Sequence, residues 1–365
     1  MVRHRSPQVL DFGFGEKSMK RKYWVRWLDS YSDNRQSKLE NLKWAGLLAV
    51  FLVGCVAAAD AQQPKKVARV CYLGNTDSGA AAIYLKTFRE RLRELGYIEG
   101  QNSTIETRLY EGKLERLPEL ATELVRLNCD AILTTGTEAA EAAKNATKTI
   151  PIVMGFSDDA VKSGIVADLA HPGGNITGLT NIGADIYGKR LELLKETVPK
   201  LARVAFFWSP TNSTAAGNVK ETEPVARFLR VGIQSIEVKG PDDIEGAFRA
   251  AIKGRANGLM LAGGGLFAFH QKRIVDLAAK NRLPAMYIAV RFVEAGGLMS
   301  YGEDRSEMFR RASEIVDKIL KGTKPADIPV ERPKKFDFVI NLKAAKQIGL
   351  TVPPEVLARA SRIIR

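Results

Sequence analysis

The chain has 365 residues, of which 45% are hydrophobic and 26% charged, with a formal net charge of +14. These are the proportions of a soluble globular protein, too long for one ordinary domain and long enough for two, each burying a core. The positive charge is interleaved with acidic residues, as in Arg89-Glu90-Arg91 and between Arg116 and Glu123, and no basic run with interleaved aromatics marks a nucleic-acid track, which excludes nucleic acid as the expected partner.

Trp44 to Ala59 is a 16-residue uncharged run, preceded by Lys38 and Lys43 and followed by Ala59-Asp60-Ala61. Charged, apolar and small residues in that order predict a secretory signal and a periplasmic or other extracytoplasmic location. The run is too short for a membrane span of about 20 residues. Inside it Leu52-Val53-Gly54-Cys55 resembles a bacterial lipobox, so two outcomes stay open: a cut after Ala61, or a lipoprotein anchored at Cys55. Residues 1 to 37 precede an unusually late signal, with Met19 as a candidate later start, and residues 1–61 are set apart from the fold. Cys71 and Cys129 each lie on or beside an apolar run without a second Cys or His at ligand spacing, which predicts buried free thiols rather than a disulfide or metal pair.

The body is written twice. Ala68 to Leu73 reads as a strand, followed by a polar loop, Gly74 to Gly79, and a helix with Leu85, Phe88, Leu92 and Leu95 on one face. A helix with Leu114, Leu117, Leu120 and Leu124 follows, then a strand Ala131 to Leu133 ending in Thr134-Thr135-Gly136-Thr137. Ile150-Pro151 opens a fourth strand, Ile152 to Met154, with a polar loop Ser157 to Asp159 at its end. Pro172-Gly173-Gly174-Asn175 then forces a turn, and the run Ile176 to Leu179 leads away. The same landmarks return roughly 130 residues on. Ala202 to Phe207 leads into Ser209 to Ser213 and a helix carrying Val225, Phe228 and Leu229. Gly258 to Leu261 ends in Ala262-Gly263-Gly264-Gly265, and Leu283-Pro284 opens Ala285-Met286-Tyr287.

Strand and helix alternating at this spacing predict parallel sheets wrapped on both faces. The fold class is therefore α/β, with two doubly wound parallel-sheet lobes whose strand-end loops face each other across a cleft. Gly296 to Gly302 reads as another crossing between lobes, and Met308, Phe309, Ala312, Ile315 and Ile319 form a helix expected to pack back on the first lobe. Phe336 to Asn341 reads as a strand returning to the second. The expected division is 67–181 plus 300–325 for lobe 1 and 182–299 plus 326–365 for lobe 2. Several crossings make a hinge.

Five stretches now carry a resemblance: Glu94-Leu95-Gly96-Tyr97-Ile98-Glu99-Gly100-Gln101-Asn102, Pro172 to Gly178, Lys189-Arg190-Leu191-Glu192-Leu193-Leu194, Glu294 to Gly302, and Ile340-Asn341-Leu342-Lys343 through Pro353-Pro354. In this order the chain resembles, over residues 62 to 365, the ABC transporter substrate-binding family associated with tryptophan and tyrosine import. The resemblance implies a periplasmic-binding-protein fold of type I with three interdomain crossings. It also implies capture of a small molecule by hinge closure, an aromatic or other amino acid being the expected class, and delivery to an ABC permease with its ATPase. Members of that family commonly carry Asp-Pro where Asp158-Asp159 stands and an Asp in the loop that here reads Gly263-Gly264-Gly265, a departure that bears on an aromatic amino acid as ligand.

An amino-acid ligand needs clustered N–H and hydroxyl donors, a carboxylate or several carbonyls, and a shaped apolar slot. Asn75, Thr76 and Ser78 stand where the first helix should begin, and Thr135, Gly136 and Thr137 where another does, so free N–H groups can meet an anion. Thr135 with Glu138 three residues on also reads as a capping box. Ser157 and Asp158 follow the fourth strand, where Asp158 or Asp159 could pair with an ammonium or simply form a turn. Ser209 and Asn212 are candidates for the second wall, with Gly264 allowing close backbone approach. Phe267 and Tyr287 are expected to sandwich the ligand, with Tyr301 nearby. No nucleophile motif, phosphate loop, dinucleotide fingerprint or paired His ligands occur, so neither enzyme activity nor a cofactor or metal is expected, and the protein is expected to be monomeric. A ligand-sensing module for a membrane receptor or regulator is the alternative, and an α/β enzyme the weakest reading. A sensor would need an output domain, and no helix-turn-helix precedes residue 67 or follows residue 350.

Overall fold

The computed structural model describes residues 67–75, 82–181 and 183–365. The signal run with Cys55, and the candidates Thr76 and Ser78, lie outside the described residues. Five strands, β1 (Ala68–Gly74), β2 (Ser103–Leu109), β3 (Ala131–Thr135), β4 (Ile152–Phe156) and β5 (Ile176–Gly178), form one parallel sheet in the order β2-β1-β3-β4-β5. Seven more, β6 (Arg203–Trp208), β7 (Gly232–Glu237), β8 (Gly258–Leu261), β9 (Ala285–Tyr287), β10 (Met299–Glu303), β11 (Phe336–Asn341) and β12 (Arg362–Ile364), form a second sheet. Read from one edge its order is β7-β6-β8-β9-β10, matching the first sheet, with β11 and β12 appended. The second sheet is not wholly parallel, because β11 runs antiparallel to β10.

The central strands are apolar on both faces: Val70, Cys71, Leu73, Ile132, Leu133, Val153 and Met154 in the first lobe, and Val204 to Phe207 with Leu259 to Leu261 in the second, are at most 1% exposed. Such runs identify themselves in sequence because a parallel strand covered by helices on both sides has no wet face. Strands β2 and β7 are edge strands with mixed sequences, STIETRL and GIQSIE, and half-exposed side chains. Their alternation is weak because an edge strand packs on fewer neighbours.

The helix Arg305–Leu320 belongs to the first lobe, as its apolar stripe predicts. Phe309 stacks on Tyr84 with ring centroids 5.6 Å apart, Arg91 bonds Glu314 at 2.8 Å, and the Tyr97 hydroxyl donates to Asp317 at 3.0 Å. The expected lobe boundaries shift at two crossings. Ser300 to Glu303 stay in the second sheet as β10, held between β9 and β11, so the chain crosses at Asp304 rather than through Gly296–Gly302. Residues 328 to 331 stay against the first lobe, where Thr177 Oγ1 donates to the Ile328 carbonyl at 2.7 Å and Glu331 N to the Gly178 carbonyl at 2.9 Å. Lys335 and Asp304, on adjacent crossings, pair at 2.8 Å. Ladder and loop hydrogen bonds, which have no signature in local composition, place these boundaries.

The expectation of free thiols is overturned. Cys71 on β1 and Cys129, two residues before β3, form a disulfide with Cα atoms 5.9 Å apart. Parallel pairing of β1 with β3, Val70 opposite Ala131, brings together two cysteines that are 58 residues apart in sequence.

Candidate functional site

In a sheet of this order, crossovers on either side of the first strand leave the chain in opposite directions and open a crevice at the strands' carboxyl ends. Both lobes present that crevice to the same cavity. Asn75 follows β1, Thr135 ends β3 with Gly136 and Thr137 after it, and Phe156 ends β4 with Asp158 after it; facing them, Asn212 follows β6, Gly263 to Gly265 follow β8, Ile288 follows β9 and Glu303 ends β10. Tyr110, Glu138, Asn181, Tyr187, Arg190, Arg291 and Arg305 complete the wall.

The two rims touch. Asn75 Nδ2 donates to the Gly265 carbonyl at 3.0 Å, and Gly265 N donates to Glu138 Oε1 at 3.0 Å. Asn212 Nδ2 donates to Asp158 Oδ2 at 2.6 Å, while Asn181 Nδ2 donates to the other oxygen at 2.7 Å. Further out, Ser213 Oγ donates to Glu141 at 2.7 Å and Lys162 pairs with Glu221. The free space between the rims is about 40 Å³, room for a few waters.

Three consecutive glycines permit this approach. A methyl group on Gly263 would fall onto the Asp158 carboxylate, and one on Gly265 would come within 2.6 Å of the Tyr110 hydroxyl. Gly264 has φ +139°, a conformation that side chains resist.

The charges in the wall are buried and of both signs. Burial pushes the Glu138 carboxyl up to about 7, against the Gly265 N–H that favours its anion, and Asp158 and Glu141 add repulsion. Asp158 is likewise raised by burial, with the Asn212 bond opposing. Burial, and then the neighbouring Arg305 charge, pulls Arg291 down to about 10. Arg190 spends its donors on the Tyr301 and Ile288 carbonyls at 2.7 and 3.2 Å and lies over the Tyr187 ring. Arg305 lies over Phe156, 3.8 Å from the ring centroid.

Of the residues expected from sequence, Asn75, Thr135, Gly136, Thr137, Asp158, Asn212 and Gly264 meet around the cavity. Thr137 Oγ1 accepts from Asp158 N at 3.0 Å, tying two of those loops together. Five do not line it. Ser157 and Ser209 are fully buried, one bonded to Met154 sulfur and the other to the Thr211 hydroxyl. Phe267 is fully buried in the second-lobe core, and Tyr287 stacks there on Phe292 at 5.0 Å. Tyr301 stacks on Phe336 at 5.7 Å and offers the cleft region only its backbone carbonyl, to Arg190. The expected aromatic sandwich is replaced by Tyr110, Phe156 and Tyr187, because the side chain that points inward at a strand end depends on register. The capping box is also absent. The helix Thr137–Ala146 begins after Gly136 without a side-chain cap, the Thr135 hydroxyl bonds Tyr72 at 3.0 Å, and Glu138 reaches across to Gly265 instead.

Phe156 lies two residues beyond the run Ile152 to Met154 and Glu303 one residue beyond Gly296 to Gly302, so a modest extension of each stretch reaches them. Tyr187 and Arg190 sit in a helix, Ala184–Thr197, whose sequence reads as ordinary amphipathic structure. Among the described residues no group of three or more His, Cys, Asp or Glu side chains stands where a metal could be held. No described helix is long and apolar enough to cross a membrane.

Two doubly wound lobes joined by three crossings and closed on a polar cavity define a type I periplasmic-binding-protein fold. The chain belongs to the ABC transporter substrate binding protein family, whose model matches residues 77–364. It is similar to a conserved domain protein from Vibrio cholerae (26% identical, TM-score 0.77, covering 82% of this chain and 100% of that one). It is similar also to an ABC domain from Streptococcus pneumoniae solved in complex with L-Trp (25% identical, TM-score 0.76, covering 81% and 99%). A tyrosine-binding protein of Clostridioides difficile is 25% identical over 266 residues, 73% of this chain and 76% of the relative.

Proposed function

We propose that the protein is the extracytoplasmic solute-binding component of an ABC importer, taking an amino acid or a close relative of one into the interlobe cleft and presenting it to a permease with its ATPase. The observation that carries this reading is the ring of hydrogen bonds between Asn75, Glu138 and Asp158 on one rim and Asn212 and Gly265 on the other, made around buried charges of both signs. Tyrosine and tryptophan are the first ligands to try, since two relatives bear those names.

With only about 40 Å³ free, an aromatic amino acid enters only if the rims separate first. The three crossings are the hinge of that motion, and ligand binding shifts the population toward closure by its differential affinity for the closed form. The protein acts outside the cytoplasm as a monomer, released by its signal or held by a lipid on Cys55, and the Cys71–Cys129 disulfide suits an oxidising compartment. It carries out no chemistry on the solute.

Mass spectrometry of the small molecule that co-purifies with the protein tests the assignment, and small-angle scattering with and without that molecule tests closure. A radius of gyration unchanged at saturation refutes the hinge, and robust turnover of any metabolite refutes the transport reading.

A further inference from the structure

Arg291 lies on the short helix Val290–Glu294 behind β9 and Arg305 begins the helix Arg305–Leu320, so the two guanidinium groups enter the cavity from different lobes. Both residues are 7% exposed, and the Nε atom of each is buried without an acceptor. Neither guanidinium has an ion pair or further hydrogen-bond partner among the described residues; each lies over a ring, Arg291 over Phe292 at 5.7 Å and Arg305 over Phe156 at 3.8 Å. They are close enough for the charge of one to weaken proton binding on the other. Two buried like charges with no bonded counterion among the described residues are costly, and a planar guanidinium matches the two oxygens of a carboxylate better than any other side chain does.

Among the described residues no acidic side chain is bonded to either guanidinium. Asp158 already accepts from two amides and Glu138 from the Gly265 N–H, leaving Glu303, 9% exposed, as the wall's carboxylate without a side-chain hydrogen bond among the described residues. The groups that act on Asp158 are Glu303, Arg305 and Arg190, whereas those that act on Arg291 are Arg305 and the hydroxyls of Tyr84, Tyr110 and Tyr72. Arg305 thus acts on both Asp158 and Arg291, and neither Arg291 nor Arg305 is hydrogen-bonded to a carboxylate among the described residues.

We propose that Arg291 and Arg305 form an anion seat, so that the solute is an organic acid whose carboxylate, or an equivalent compact oxyanion, completes the closed cleft, and that this group matters more to binding than any ammonium. This rests on the solute-binding reading above and names the chemical class it requires.

The test is calorimetric titration of the full mature chain with two matched sets: L-tyrosine, tyramine and 3-(4-hydroxyphenyl)propanoate, then L-tryptophan, tryptamine and indole-3-propanoate. Loss of the carboxylate should weaken binding by about 100-fold or more, and loss of the ammonium by about 10-fold or less. An amine that binds as well as its acid overturns the seat while leaving a solute-binding protein. If neither set binds, the aromatic amino-acid reading fails, and the seat is decided by thermal shift with sodium acetate and with inorganic phosphate. Either anion should raise the melting temperature of the wild type and not of the Arg291→Gln/Arg305→Gln double variant, the two arms separating a carboxylate from a phosphate seat. Equal shifts, or none, in both proteins overturn it. Arg305→Lys, which keeps the charge but loses the fork, should weaken the acids without changing the fold seen by circular dichroism.

Discussion

Gly263→Ala isolates lobe closure from lobe folding. The backbone at Gly263 is not in the left-handed region, so alanine is tolerated conformationally, but its methyl group would land on the Asp158 carboxylate of the opposite rim. Asp158 has a short side chain pinned by Asn181 at 2.7 Å and Asn212 at 2.6 Å, and cannot swing aside without giving up a bond. A hydrogen bond to a charged group is worth about 1.5–3 kcal/mol. Losing one or two of them, or stopping short of full closure, should weaken ligand binding by about 2–4 kcal/mol, roughly 30- to 1000-fold. Titration calorimetry reads the affinity, and scattering at saturating ligand should show a radius that stays at the ligand-free value. Each lobe keeps its core, so the melting temperature without ligand should move little. An alanine variant that binds within twofold of wild type and compacts normally would refute the claim that these glycines serve the contact between lobes.

Other outcomes follow from the same geometry. Because Glu138 is raised to about 7 from its ordinary 4.5, its protonated form stabilises the closed protein fully below about pH 4.5, and that contribution is lost as pH rises through 7. Melting temperature between pH 5 and 8 should therefore fall more steeply in wild type than in Glu138→Gln, by up to about 3 kcal/mol of stability. Cys129→Ser opens a loop of 58 residues and should cost about 2–4 kcal/mol in urea unfolding, an effect that reductant reproduces in the wild type. Phe267→Ala should cost about 3–5 kcal/mol of stability as a core truncation while leaving the affinity of the folded fraction within about twofold, as a ligand-contacting ring would not.

The sequence by itself determined the two-lobed α/β plan, since buried parallel strands must be apolar on both faces and the polar loops at their ends announce the cleft. Asn75, Thr135, Asp158 and Asn212 were legible for that reason: each directly follows a strand or closes its loop. The tertiary structure alone decided what those loops meet. Whether Gly263 to Gly265 faced a ligand or a neighbouring side chain, whether Cys71 met Cys129, and whether Phe267 or Phe156 looked into the cavity depend on register and on strand order, which bring residues tens to hundreds of positions apart within a few ångströms. Arg291 and Arg305 were hidden for the same reason, as arginines on amphipathic helices resemble solvated surface until the fold buries them.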